Sequence, residues 1–355
     1  MNIIRLKKIL DPEIPILSSN LRNKIKFNLR IADVGSSGLP PEEFFSIFNK
    51  SIFYCFDPDS RARKSSFSNI IFHSNGLFSS KTEKKIYLTN MPDASSLHKP
   101  NKDFLNKFLN ASASDVVKEE TINLTTLDLV LNEDEKIDFL KVDVEGADLE
   151  VIKGGDESLS DCLGIKIEVQ FKERNIGSPL FSEIDDHLKK NYFLLDLKNS
   201  SWLKSKVHFI NSNAEIVWGD AYYLKNEESF LKNYSQKSSD DKENFLLRYI
   251  VIGSLLGAHD HLIHFLNNNF DKLDISETDK IYYIKGILAS KKNILVQVSI
   301  SFLISCSFSL FYLLFFPNKY FRKKFSVYLR KNVSFLGKVL IFLSRNLHEG
   351  TITKN

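Results

Sequence analysis

The stretch Leu140-Lys141-Val142-Asp143-Val144-Glu145-Gly146-Ala147-Asp148-Leu149-Glu150-Val151-Ile152-Lys153-Gly154-Gly155 decides the fold. It joins a short apolar strand, residues 137–142, to a helical pattern over 147–152 that Gly154-Gly155 closes. Asp143 and Glu145 fall on the turn between the two. In an open parallel sheet, ligands bind outside the carboxyl ends of the strands, and Asp143 stands at such an end. Asp143 reads as a general base or a substrate-orienting acid, and Glu145 as a partner for its neighbours or for a substrate hydroxyl. For both acids the alternative is plain capping of the helix that begins near Ala147.

Outward from this stretch the same alternation repeats. Residues 29–34 read as a buried strand ended by Gly35-Ser36-Ser37-Gly38. Pro40-Pro41-Glu42-Glu43 then opens a helix, because proline is tolerated in a first turn and acids complement the helix dipole. Strands follow at 51–56, 69–73, 163–169, 192–197 and 215–224, with a further helix at 181–190. The last two strands are open to an antiparallel pairing. Strands alternating with helices imply an α/β fold, a doubly wound and mostly parallel seven-stranded sheet.

The turn Asp33-Val34-Gly35-Ser36-Ser37-Gly38 meets the first strand, where a side chain would block the approach of a ligand to the backbone. Asp57 follows Gly35 by 22 residues, at the end of the next strand, where a carboxylate accepts both hydroxyls of a ribose. Asp33, Gly35, Ser36, Gly38 and Asp57 therefore read as a nucleoside-binding set. The ligand is a dinucleotide or S-adenosylmethionine. A dinucleotide fingerprint wants a third glycine, and an acid two residues before the first glycine fits the methionine end of S-adenosylmethionine better. An ordinary strand–turn–helix is the alternative.

Composition bounds the rest. At 43% hydrophobic and 26% charged residues over 355 positions, wholesale disorder, collagen and a polytopic membrane protein are excluded. Cys55, Cys162 and Cys306 match neither a disulfide framework nor a zinc spacing, and the first residues carry no secretory-signal pattern. The net charge of +4 is uneven: from residue 281 onward 12 Lys/Arg face one acid, Glu349, which leaves the body acidic and a poor nucleic-acid binder. Residues 226–292 are polar and then helical. Residues 294–316 form a 23-residue run without a charge, followed by Lys319, Arg322, Lys323 and Lys324 and by a second apolar stretch, 333–343. The run is long enough to span a bilayer, to pair with 333–343 as a hairpin or to lie in the interface, and a buried helix is the soluble alternative. His259, His261 and His264 read as a solvated helix face rather than a metal site.

The 140–155 stretch resembles the FkbM family of class I S-adenosylmethionine-dependent methyltransferases, which reads L-K-[IV]-D-[VI]-E-G-x-E-x-x-[VI]-L-x-G there. Residues 31–38 are similar to the family's D-V-G-A-x-x-G, and Tyr54-Cys55-Phe56-Asp57-Pro58 to its F-E-P, with Asp for Glu. Ala94-Ser95-Ser96-Leu97, Thr125-Thr126-Leu127-Asp128 and Ile167-Glu168-Val169-Gln170-Phe171 match its S-S-L, T-L-D and E-V-x-F segments in order. Asp148 and Ser36 depart mildly from the usual Glu and Ala. The resemblance covers about residues 28–225 and leaves the tail untouched.

It implies a Rossmann-like methyltransferase domain over 28–225, after a lead-in at 1–27 and before a helical region at 226–292 and a hydrophobic, basic tail at 293–355. It further implies S-adenosylmethionine as cofactor and O-methylation of a sugar, glycan or related metabolite. Asp143 and Glu145 would be catalytic, with Glu168 a weaker third. A metal-free site is expected, the alternative being Mg²⁺ on Asp143, Glu145 and Asp148. No nucleic-acid partner is expected, and the enzyme would sit in the cytoplasm, attached to the membrane face through 294–343. The rival readings are an NAD-dependent oxidoreductase using the same crevice and a non-catalytic membrane-tethered binding module.

Overall fold

The computed structural model describes residues 15–36, 40–59, 61, 67–131, 136–204 and 214–290. The tail run 294–316 and the stretch 333–343 lie outside the described residues, as does Gly38. Among the described residues no helix is long and apolar enough to cross a membrane.

Seven strands form the main sheet: β1 (Leu29–Val34), β2 (Ser51–Phe56), β3 (Ile70–His73), β7 (Phe139–Val142), β8 (Gly164–Gln170), β9 (Tyr192–Trp202) and β10 (Glu215–Lys225), in the order β3-β2-β1-β7-β8-β10-β9. β1 runs parallel to β2 and β7, as do β2 to β3 and β7 to β8. Only β10 is reversed, antiparallel to both β8 and β9. The order turns round at β1, which has β2 on one side and β7 on the other. That is the point at which a doubly wound sheet opens a crevice. The doubly wound, mostly parallel seven-stranded α/β sheet expected from the sequence is the one observed.

The central strands are apolar throughout because both faces are covered. Alternate residues divide between two cores. Ile31, Phe53 and Phe139 pack with Phe230, Tyr249, Ile250 and Phe265 on one face, and Ala32, Tyr54, Leu140 and Val142 with Leu127, Val151 and Ile184 on the other. The first core is built largely by helices Glu227–Ser235, Ser239–Leu256, His259–Asn268 and 277–290. The short helix Ser19–Lys24 joins them: Leu17, Leu21 and Ile25 are fully buried, and Ser18 N–H donates to the Ser290 hydroxyl at 2.9 Å.

Three local features differ from the sequence reading. The segment opened by Pro40-Pro41 is a 3₁₀ helix, Glu42–Lys50, kinked at Ile47. Of the three histidines read as a solvated face, only His264 is exposed. His259 is buried, the His261 ring meets the Tyr249 hydroxyl at 2.8 Å, and burial lowers the His261 pKa. A second sheet, unread in the sequence, comprises β4 (Gly76–Leu77), β5 (Thr82–Thr89) and β6 (Val116–Thr125) in the order β4-β6-β5. Its long strands carry Glu-Lys-Lys and Lys-Glu-Glu runs and bury only Ile86, Thr89 and Leu124, so the apolar alternation is too sparse to read.

Candidate active site

The carboxyl ends of β1, β2 and β7 open into a cavity of about 540 Å³. The second sheet closes its far side with Ile86, Ile122 and Leu124. Gly35, Asp57, Asp143 and Glu145 all line it, so the structure brings together four of the seven residues singled out from the sequence. Asp33 and Ser36 are buried behind the wall, and Gly38 is outside the described residues.

Gly35 has φ +79°. A Cβ there would overlap the backbone carbonyl oxygen of Asp143. The sequence reading assigned the bare glycine to the path of a ligand, but its first duty is to let two loops of the chain touch. Gly35 and Ser36 N–H groups donate to the Phe56 carbonyl at 2.9 and 3.2 Å, and Asp143 N–H donates to the Val34 carbonyl at 3.0 Å. The three strand ends are thus tied to one another by backbone alone.

Asp33 and Lys141 are register partners on β1 and β7. The Lys141 ammonium lies 3.0 Å from the Asp33 carboxylate and 3.6 Å from that of Asp143. Burial would lower the Lys141 pKa, but Asp33 and Asp143 outweigh it and raise it, so the ammonium stays charged. Burial pushes the Asp33 pKa up despite Lys141. Asp33 therefore anchors Lys141 under Asp143 rather than facing the cavity. Lys141 was missed in the sequence because a lysine inside an apolar strand gives no signal of what it pairs with.

At the other side of the cavity Asp57 is half-buried, and its Oδ1 accepts the Asp59 N–H at 2.8 Å. Burial raises its pKa to about 6; the Asp59 N–H opposes the shift, and the charges of Asp59, Asp33 and Asp93 add to it. Arg61 spans the mouth. Its guanidinium pairs with Asp59 at 2.6 Å, and reaches the Thr89 carbonyl and Ser95 hydroxyl at 3.1 Å each.

The turn after Asp143 is built under constraint. Glu145 has φ 59°, a left-handed conformation that a side chain rarely adopts, and Gly146 follows at φ 111°. Three partners hold it. Ser96 Oγ–H donates to the Glu145 carbonyl at 2.6 Å, Asn175 Nδ2–H donates to the same oxygen at 2.8 Å, and the Arg174 guanidinium grips the Glu145 carboxylate. Neither Asp143 nor Glu145 caps the next helix, Asp148–Lys153, whose N-cap Ala147 has no side-chain cap bond; Asp148 instead braces the turn, its carboxylate accepting the Val144 and Gly146 N–H groups at 3.1 and 2.8 Å. Asp143, left out of these bonds, keeps a side chain 37% exposed on the cavity wall.

Arg174 also binds Glu168 on β8, and its guanidinium carbon lies 5.8 and 5.9 Å from the ring centres of Trp202 and Trp218. One carboxylate oxygen from each of Asp143, Glu145 and Glu168 falls within 4.8 Å of the others, a set able to hold a hard cation. Asp148, spent on the turn, is not in that set.

Residues 41–195 match the family model for the Methyltransferase FkbM domain. Among solved structures the chain is similar to a Streptococcus pneumoniae protein named "putative tRNA (m1A22) methyltransferase", at 7% identity and a TM-score of 0.27, over 77% of this chain and 96% of that one. No curated protein matches the chain at a significant level.

Proposed function

We infer that the protein transfers a methyl group from S-adenosylmethionine to a hydroxyl of a sugar, glycan or related metabolite, a reading supported by the match of residues 41–195 to the FkbM methyltransferase domain model. One observation carries the choice of cofactor. The cavity is lined by five carboxylates, Asp57, Asp59, Asp93, Asp143 and Glu145, against two cations, Arg61 and Lys141. S-adenosylmethionine bears an ammonium, a sulfonium and a carboxylate, a net single positive charge. A nicotinamide dinucleotide brings a pyrophosphate into the same acids and meets like charge. The rival oxidoreductase reading therefore lacks both its third glycine and its phosphate-binding charge.

The residues divide the work. In this reading Asp57, which follows β2, accepts the ribose hydroxyls. The Gly35 turn shapes the floor, and Leu77, Ile86, Ile122 and Leu124 give the apolar wall on which a purine rests and from which water is excluded. The cofactor supplies an activated methyl group, so alignment contributes most of the rate. In this reading Asp143, half-buried on the wall and steadied by Lys141, takes the proton of the acceptor hydroxyl.

Isothermal titration of the full chain with S-adenosylmethionine and, separately, NAD tests the cofactor. Binding of the first alone is expected, and binding of NAD alone overturns the reading. Mass spectrometry of a glycan extract incubated with methyl-labelled cofactor then identifies the acceptor. The basic tail, proposed as a membrane attachment, rests on the sequence of 294–343.

A further inference from the structure

One face of the main sheet is apolar over half its height and polar over the other half. Phe139 on β7 and Leu224 on β10 belong to the first core. Counted by twos along the same face, β7 leads to Lys141 and then Asp143, and β10 leads back to Tyr222, Asp220 and Trp218. Lys166 on β8 is the register partner of Tyr222, and Lys198 on β9 that of Asp220. Asp143 follows the Val142–Ile167 pair, so it stands level with Glu168 and Asp220. At the usual ~4.8 Å between strands, Asp143 and Asp220 are about 10 Å apart.

Two of these side chains are fixed from behind. The Lys166 ammonium lies 3.1 Å from Glu43, on the 3₁₀ helix Glu42–Lys50, and 3.7 Å from Asp220. The Tyr222 hydroxyl donates to Glu43 Oε1 at 3.1 Å. The Lys198 ammonium lies 4.9 Å from the centre of the Tyr222 ring. The others are unspent. The Asp143 and Asp220 side chains are 37% and 31% exposed, and Lys198 is exposed. Among the described residues neither Asp220 nor Lys198 makes a hydrogen bond, and the Trp218 indole N–H has no acceptor. Of these residues only Asp143 and Lys141 line the cavity assigned to the cofactor. The polar floor therefore adjoins that cavity, with Asp143 on the border between them.

We propose that this floor binds the methyl acceptor as a neutral saccharide, with Asp220 and Lys198 hydrogen-bonded to its hydroxyls and Trp218 against its apolar face, so that a further hydroxyl meets Asp143. The proposal rests on the methyl-transfer reading for the reaction, but not for the docking of the sugar. A hydroxyl both donates and accepts, so a ring bearing several satisfies carboxylates and ammonium groups together. Acids and lysines alternate across the floor, and Asp143 and Asp220 face Lys166 and Lys198 with no net charge among the four. A phosphorylated or nucleic-acid acceptor would bring negative charge onto the two acids. A hydrocarbon would strip water from the ions and give no hydrogen bond in return. An indole beside such groups offers a flat apolar surface at the edge of a polar site.

The test has two arms, both on the full chain with the neutral oligosaccharide fraction of a glycan extract. In the first, transfer from methyl-labelled S-adenosylmethionine is measured against the concentration of that fraction. Asp220→Asn and Lys198→Ala are each expected to raise KM about 10-fold or more with kcat within about 3-fold of wild type. Affinity for S-adenosylmethionine should stay unchanged, because neither residue lines its cavity. A KM unaltered in both variants overturns the proposal, as does label that goes only to an anionic fraction. Lys198 is exposed, so Lys198→Ala decides the matter if Asp220→Asn fails to fold. The second arm uses indole emission. The chain has two tryptophans, and the Arg174 guanidinium carbon lies 5.8 and 5.9 Å from their ring centres, so the emission reports on this edge of the sheet. The neutral fraction is expected to change it saturably, and Trp218→Phe to remove most of the change. No saturable change overturns the proposal. Absence of label transfer by the wild type sinks the methyl-transfer reading, while the emission still decides whether sugar docks here.

Discussion

The carbonyl oxygen of Asp143 occupies the space that a Cβ on Gly35 would need. The two residues are 108 positions apart, on the adjacent strand ends β1 and β7, and their contact sets the floor of the cavity.

Gly35→Ala therefore injures the fold as well as the site. It combines a left-handed backbone strain with a backbone collision, and stability should fall by more than about 3 kcal/mol. Chemical denaturation measures this. A variant as stable as the wild type would mean that the two strand ends can separate freely.

Asp57 sets a trade between stability and binding. Its folded pKa of about 6 exceeds the ordinary 3.8, so the folded chain holds a proton that the unfolded chain has released between those values. Its contribution to stability accordingly falls as pH rises from about 4 to about 6 and is least favourable above that. Asp57→Asn should melt at higher temperature than the wild type at pH 7.5 and show a shallower loss of stability across that window. The same variant should bind S-adenosylmethionine about 10- to 150-fold more weakly, having lost charge-assisted ribose bonds. Wild-type affinity should itself decline as pH drops below about 6. Affinity flat with pH and unaltered in the variant would remove Asp57 from the site.

For Asp143→Asn, cofactor affinity should stay within a few-fold while label transfer to acceptor falls by about 10²–10⁴. Collapse of affinity would instead assign Asp143 to cofactor binding. A turnover close to wild type would leave alignment alone as the source of rate.

The acidic lining should make salt discriminate between substrate and product. Raising ionic strength from 0.05 to 0.5 M shortens the screening length from about 14 Å to about 4 Å. Affinity for S-adenosylmethionine should drop several-fold, and that for the uncharged thioether should hardly move. Equal salt sensitivity of the two ligands would argue that the five carboxylates are neutralised by something other than the sulfonium.

A chain ending after residue 292 should keep its melting temperature and its cofactor affinity, because the cavity-lining residues end at Ala147 and the helix 277–290 is retained. Ending it after residue 276 should destabilise it by more than about 3 kcal/mol, since Tyr283 and Ile287, both fully buried, are lost. We propose that the full-length chain sediments with membranes and resists high salt but not detergent. Release by salt alone would point to headgroup attraction by the basic residues, and a monodisperse full-length chain without detergent would end the membrane proposal.

Much of this was readable in the residues because the main-sheet strands are short, apolar and punctuated by glycine or acid. β2 spans 51–56 in both readings, and the antiparallel pairing of β9 with β10 falls on the two segments left open to it. Asp57, Asp143 and Glu145 were legible because an acid at a strand end has few structural uses. Arg174 was not, since Phe171-Lys172-Glu173-Arg174-Asn175 looks like any polar loop until Glu145 and Glu168 are placed beside it. The 76–125 wall was hidden for the opposite reason. It meets the cavity with a few isolated apolar side chains, Leu77, Ile86, Ile122 and Leu124, and gives the rest of its surface to water.

The bond from Ser18 N–H to Ser290, with Leu21 against Gly286, has a consequence in time. Leu17, Leu21 and Ile25 leave the ribosome about 260 residues before the helix that covers them. While the rest of the chain is being made, these side chains have no native partner at that end. At synthesis rates of about 5–20 residues per second the interval is roughly 13 to 52 seconds, long enough for a chaperone to attend the emerging segment. All seven strands of the main sheet are thus translated before the helix 277–290 that closes over residues 17–25.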